Sequence, residues 1–183
     1  MEAFDVLVLA TGFDACTGPL LAMNIVGRDG LRLRDAWADG PQTYLGLTAH
    51  GFPNLFMITG PQSPSVLYNM PLAIEDHVDF TADAITYLRR HGYDTIEPTR
   101  QAQDDWVAHT NENAQATLLP TSTSSWYMGA NVPGKPRKVL VYLGGAPAYR
   151  KTCDEVIAAG YTGFTFQSAP EPESEPEPAA VGS

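Results

Sequence analysis

The residues able to do chemistry are few, and their spacing excludes the common stand-alone motifs. The histidines are His50, His77, His91 and His109, and none has a second His or Cys at metal-ligand spacing. Each reads as an isolated surface group, and His77 falls one residue before a core position of a helix described below, which puts it on the solvated side. Glu75 and Asp76 read as helix-start carboxylates favoured by the positive dipole end, not as an acid/base pair. No GxGxxG, HExxH or GxSxG occurs. The string Gly129-Ala130-Asn131-Val132-Pro133-Gly134-Lys135 matches the first part of a phosphate-binding P-loop. Pro136 then stands where that loop needs Ser or Thr for its metal, and a strand pattern follows where a helix N-terminus is required, so nucleotide hydrolysis is excluded.

Two loops are better placed. Residues 60–71 join the end of an apolar run to a helix start, the position at which α/β proteins hold ligands. A helix start offers free backbone N–H groups and partial positive charge, suited to a phosphate or an electron-rich ring oxygen. A plain strand-to-helix connection explains the position equally well. Trp126 follows five small hydroxyl residues, 121–125, and precedes a Gly- and Pro-rich stretch. Such a ring either anchors its loop in the core or closes over a ligand, and by itself the pattern favours the anchor. Lys135, Arg137 and Lys138 form the densest basic cluster, fitting an anion or a solvated strand entry.

The elements that must position these loops follow from periodicity. Residues 4–10 (FDVLVLA), stopped by Thr11-Gly12, predict a strand buried on both faces, and residues 55–59 (LFMIT), stopped by Gly60-Pro61, a sister strand. Turns and short strands are expected around 44–48. A helix begins near Pro71 with Asn69 as cap, carries Ile74, Val78, Ala82, Ile85 and Leu88 on its apolar face, and ends at His91-Gly92. A second helix is expected over 101–118 with Trp106, Thr110, Ala114 and Leu118 as its stripe. A strand at 139–143 precedes a helix from about Pro147 that buries Tyr149, Cys153, Val156 and Ile157 and ends at Gly160.

The 183 residues, 44% hydrophobic and 17% charged, suffice for one ordinary domain or a large piece of a bigger one. Eleven basic against 21 acidic residues give a net charge of −10, so a nucleic-acid partner, which needs clustered Lys and Arg, is not expected. Residues 168–183 carry Glu171, Glu173, Glu175 and Glu177 among Pro and Ser, and are expected to form a disordered tail. Cys16 and Cys153 read as reduced structural thiols. No apolar run approaches the roughly 18 to 20 residues of a membrane span, and no basic leader precedes one, so a cytoplasmic protein is expected.

Taken in order, several strings form a recognisable set. They are Ala10-Thr11-Gly12-Phe13-Asp14, Phe52-Pro53-Asn54-Leu55-Phe56 with Gly60-Pro61, Ser63-Pro64-Ser65 with Asn69-Met70 and Ile74-Glu75, then Ser125-Trp126-Tyr127 with the 129–135 string. From about Asp5 to Phe166 the chain resembles the C-terminal part of Baeyer-Villiger flavin monooxygenases, of the phenylacetone monooxygenase type. The resemblance implies an α/β fold, the C-terminal portion of a flavoprotein with two dinucleotide-binding domains, with an incomplete sheet plus helices. It implies FAD and NADPH as cofactors, and ketone and O2 as substrates, one oxygen atom being inserted to give an ester or lactone. Residues 1–14 would hold a strand and the crossing from NADP-binding to FAD-binding domain, and residues 15–167 the FAD-side region with the substrate loop and a mobile tryptophan loop. Thr11, Gly12, Asn69, Met70 and Trp126 would contact cofactors, Trp126 by reaching NADP, which reverses the anchor reading. Ser65, Val66, Leu67 and Met70 would line the substrate pocket.

The family's two GxGxxG turns, its FxGxxxHxxxW fingerprint and its active-site arginine belong to sequence upstream of this region and do not occur in these residues. No catalytic residue is therefore assigned here, and FAD binding by this chain alone is expected to be weak or absent, because dinucleotide phosphates need the glycine turn. Activity would require an N-terminal half on another chain. A non-catalytic remnant or interaction domain is the alternative, and oxidation of nitrogen or sulfur the alternative reaction.

Overall fold

Caps written into the sequence start the long helices. The computed structural model describes residues 4–10, 12–64 and 68–168. In chain order the elements are α1 (Gly18–Ala22), α2 (Leu33–Ala36), α3 (Met70–His91), β1 (Thr95–Pro98), α4 (Arg100–Gln115), α5 (Ala146–Ala158) and β2 (Phe164–Gln167). Single 3-10 turns stand at Arg28–Gly30, Leu119–Thr121 and Trp126–Met128. Helix α3 starts as expected: the Asn69 side chain accepts from the Leu72 N–H at 3.3 Å, and Pro71 sits in the first turn. It stops at Gly92, whose φ of +68° is left-handed, with Arg89, Arg90 and His91 at the negative dipole end. Thr99 caps α4 in the same way, accepting from the Ala102 N–H at 3.1 Å. The predicted 101–118 helix ends at Gln115; Trp106, Thr110 and Ala114 are buried, whereas Leu118 lies beyond the helix, 85% exposed.

The face that α3 buries shares only Leu88 with the predicted stripe. Ala73, Asp76, His77, Phe80, Ala84 and Leu88 are inside, while Ile74, Val78 and Ile85 are 39 to 48% exposed. The spacing 73, 77, 80, 84, 88 is as regular as the rejected stripe, and Phe80 packs its ring against Tyr161 and Phe164. Asp76 and His77 are tolerated inside because α5 presents Arg150 and Tyr149 to them. The main core gathers Phe80, Ala84 and Leu88 with Tyr44, Leu45, Ile96, Trp106, Cys153 and Val156, and a smaller core joins Leu33, Trp37, Phe52 and Met57.

The sheet differs most from expectation. Strands β1 and β2 pair antiparallel, from Thr95 opposite Gln167 to Pro98 opposite Phe164, and periodicity anticipated neither. Four-residue strands are too short to show a period. The predicted strand at 4–10 is absent: Val6, Leu7, Val8 and Leu9 are 75 to 80% exposed, and no described strand pairs with them. A strand buried on both faces needs neighbours for its ladder and its faces. Residues 55–57 make no ladder, although the Met57 N–H reaches Leu47 O at 2.8 Å, and 58–59 form a turn in which Thr59 has φ +54°. Residues 139–143 make only a short parallel contact with the segment after Gly60. There the Gln62 N–H donates to Leu140 O at 2.8 Å and the Tyr142 N–H to Ser63 O at 3.0 Å. A bridge at Tyr44 and Thr48 fits the expected turns. The acidic stretch 169–183 lies outside the described residues, as do Thr11, Ser65, Val66 and Leu67. The described residues thus form helices about an incomplete two-stranded sheet, and no helix among them is long and apolar enough to cross a membrane.

Candidate functional site

A cavity of about 90 Å3 lies where several of the singled-out strings converge. Its lining includes Cys16, Gly60, Ser63, Met70, Trp126 and Leu140. Met70 is there because the Asn69 cap fixes the first turn of α3. Trp126 is there because the Ser125 hydroxyl accepts from the Tyr127 N–H at 3.2 Å, starting a 3-10 turn that Gly129 ends at φ +64°. That turn is tied to the next segment, Leu140 N–H donating to Tyr127 O at 2.8 Å and Lys138 N–H to Met128 O at 3.1 Å. Trp126 is half-buried and lines the cavity.

Phe13 and Asp14 are brought to the 129–135 string. Lys135 forms an ion pair with Asp14, and the Asn131 side-chain amide donates to Phe13 O at 3.3 Å. The lysine that suggested a P-loop thus serves Asp14. Cys16 is pushed above the ordinary thiol range by burial, against the pull of Lys135, and stays protonated at neutral pH. Gly12 has φ +81° and open space where a side chain would stand. Arg137 donates to the carbonyls of Pro120 and Ser122, pinning the Ser/Thr loop instead of meeting an anion.

Sequence reasoning missed His77. It is 1% exposed, not solvated. Burial lowers its pKa to about 4, opposed by the neighbouring Asp76 carboxylate. Asp76 is itself buried, paired with Arg150 and accepting from the Tyr68 hydroxyl at 3.0 Å, so it is a packed anion and not a helix-start residue. The heptad-like spacing of 73, 77, 80, 84 and 88 was the available signal. The other histidines are peripheral: His50 bonds Pro98 O at 3.0 Å, His91 stacks on Tyr87 and His109 lies beside Tyr142. Among the described residues no group of three His, Cys, Asp or Glu can hold a metal.

The donor set fits a cofactor ring and not its phosphates. The cavity lining has apolar and backbone surface, with no Lys or Arg and no glycine turn before a helix. Thr11, Ser65, Val66 and Leu67 lie outside the described residues, so the structure brings together Met70 and Trp126 of the expected set, with Asn69 as the cap of α3 beside Met70 and Gly12 two residues before the Asp14 that pairs with Lys135.

No protein-family model matches the chain. Among curated proteins it is 47% identical over 167 residues to an acetone monooxygenase (methyl acetate-forming) of Gordonia sp. (strain TY-5), a match covering 91% of this chain and 31% of that protein. A Baeyer-Villiger monooxygenase of Pseudooceanicola batsensis is 42% identical over 86% of this chain and 28% of its own length. The crystal structure of cyclohexanone monooxygenase from Rhodococcus sp. Phi1 bound to NADP+ superposes with a TM-score of 0.87 at 43% identity, over 92% of this chain and 31% of that one. Further relatives include FAD-binding monooxygenases and structures bound to FAD and NADP. The chain spans about 30% of the length of the curated relatives it matches. Over about nine-tenths of its length it is therefore homologous to Baeyer-Villiger and cyclohexanone monooxygenases and carries the fold of the matching portion.

Proposed function

We propose that this chain supplies the C-terminal, flavin-side wall of a Baeyer-Villiger monooxygenase that uses FAD and NADPH to insert one oxygen of O2 into a ketone. The observation that carries the reading is the cavity that joins Met70 at the start of α3, Gly60 and Ser63 of the turn that follows residues 55–57, and Trp126. When bound, the flavin supplies the oxygen-activating chemistry, and the chain's residues orient and enclose it. Pro71 has no N–H and the Leu72 N–H is taken by Asn69, so the first turn of α3 would offer an electron-rich ring edge the Met70 N–H and the positive dipole end. Met70 and Trp126 give apolar surface that excludes water, and Trp126 is the contact to the nicotinamide cofactor. Ser65, Val66 and Leu67, with Met70, line the ketone pocket. Gly12 and Thr11 lie at the crossing between dinucleotide domains, and residues 4–10 become a sheet strand once the complementary portion is present. The dinucleotide phosphates are held by that portion, since no GxGxxG stands here.

The test is the visible absorbance of the purified chain with FAD, alone and co-expressed with the remaining portion of the Gordonia relative. A flavin band co-eluting with the complemented pair through gel filtration, with ketone-dependent NADPH oxidation, is the expected result. A pair that co-purifies but stays colourless points to the remnant or interaction-domain alternative. Turnover of an amine or sulfide but no ketone moves the reaction to nitrogen or sulfur oxidation.

A further inference from the structure

Both ring nitrogens of the buried His77 are engaged. The Thr59 backbone N–H donates to Nδ1 at 2.8 Å, so Nδ1 is an acceptor and carries no proton. The proton of the neutral ring is therefore on Nε2, 2.8 Å from the Tyr149 hydroxyl oxygen. That hydroxyl donates onward to Leu45 O at 2.8 Å. The donors run in one direction, from His77 through Tyr149 to Leu45, and all three residues are at most 1% exposed. At the other end of the ring, Thr59 has φ +54°, and Gln62 in the same turn has φ +67°. A β-branched residue in the left-handed region is strained and persists only where its surroundings hold it. Thr59, Gly60 and Ser63 of this turn line the cavity with Met70 and Trp126.

We propose that His77 is a positioning residue for the cavity: as the Nε2–H tautomer it holds Thr59 in its left-handed conformation and so sets the wall at 59–63 against Met70 and Trp126. What that wall does for a cofactor rests on the function proposed above, whereas the hydrogen-bond chain does not. Protonation of Nδ1 would set two N–H donors against each other and release the turn. Asp76 on α3 favours the cation, but Arg150 of α5 and the Tyr68 hydroxyl engage its carboxylate. On α5, Tyr149 and Cys153 stay neutral, each raised by burial, and Arg150 also pairs with Asp154. Burial outweighs Asp76, in keeping with a ring neutral down to about pH 4.

The test uses the full 183-residue chain without flavin, NADPH or ketone. Nitrogen-15 NMR at neutral pH is expected to show His77 Nδ1 unprotonated and Nε2 protonated. In His77→Leu the Thr59 and Gly60 amide resonances move, and Cys16, on the same cavity, reacts with a thiol reagent about tenfold faster as the turn opens locally. His77→Asn, whose side-chain oxygen can accept from the Thr59 N–H, returns both readouts toward the parent chain. Val156→Ala, a truncation in the main core, controls for general loosening and leaves Cys16 labelling nearly unchanged. A proton found on Nδ1, unmoved Thr59 and Gly60 amides in His77→Leu, or equal acceleration in Val156→Ala overturns the proposal. None of these readouts depends on catalysis, so they stand or fall apart from the monooxygenase reading.

Discussion

At His77 a single burial decision changes the pH response of the whole chain. Its folded pKa, about 4, lies below its ordinary value of 6.5. The unfolded chain therefore binds more protons between these values, and stability rises with pH across that window. The contribution is fully present above pH 6.5, falls as the solution is acidified, and is gone by about pH 4. Its size is on the order of 3 kcal/mol. Urea midpoints measured from pH 7.5 to 4 are expected to drop over this range, and His77→Asn to flatten that part of the drop. The Asp14 and Lys135 pair is partly exposed, so its energetic weight is small and its value is geometric. Lys135→Ala is expected to cost at most about 1 kcal/mol of stability yet to raise hydrogen exchange at 12–16, because the clamp to the 129–135 string is lost.

Helix α3 shows how far an element can be read from its own residues. Its ends follow from Asn69, Pro71 and Gly92, and their contributions are separable. Asn69→Ala is expected to destabilise the chain by about 1 kcal/mol through the lost bond to Leu72 N–H. Gly92→Ala is expected to cost a similar roughly 1 kcal/mol, not because of crowding, since space is open there, but because φ +68° strains any side chain. Thermal unfolding by circular dichroism reads both. The helix's rotation, by contrast, differs from the one its apolar spacing predicts. Ile74, Val78 and Ile85 are exposed, so replacing all three by Gln is expected to leave the unfolding midpoint within the range of surface changes, about 0.5 kcal/mol each, whereas Phe80→Ala should cost about 3 to 5 kcal/mol. The opposite ranking in denaturant titrations would restore the predicted face.

On the scale of the molecule, an apolar run that reads as a buried strand is solvent-exposed in the structure. Val6, Leu7, Val8 and Leu9 present their side chains to solvent, although their pattern is that of a central strand. If the complementary portion of the enzyme supplies the sheet, the amides of residues 6–9 should exchange freely in the isolated chain and become protected in the co-expressed pair. Exchange by mass spectrometry that stays fast in a pair retaining flavin would remove the strand assignment. The same exposed run gives the isolated chain a tendency to associate, and light scattering should detect it at high concentration.

The sequence alone determined the ends of α3, the loops worth attention and the family resemblance, because caps, glycine positions and the 10–14, 60–71 and 125–135 strings are local in the chain. It pointed to Met70 and Trp126 as cofactor contacts only through resemblance, and their meeting on one cavity belongs to the tertiary structure. Tertiary structure alone decided which face of α3 turns inward, since that depended on Tyr149 and Arg150 arriving from α5 to satisfy His77 and Asp76. It likewise decided that Lys135 meets Asp14 across 121 residues of chain, and that β1 finds β2. Pairings at such separations leave no periodic trace. They come from burial and from the matching of donors with acceptors, which exist only once the chain has closed on itself.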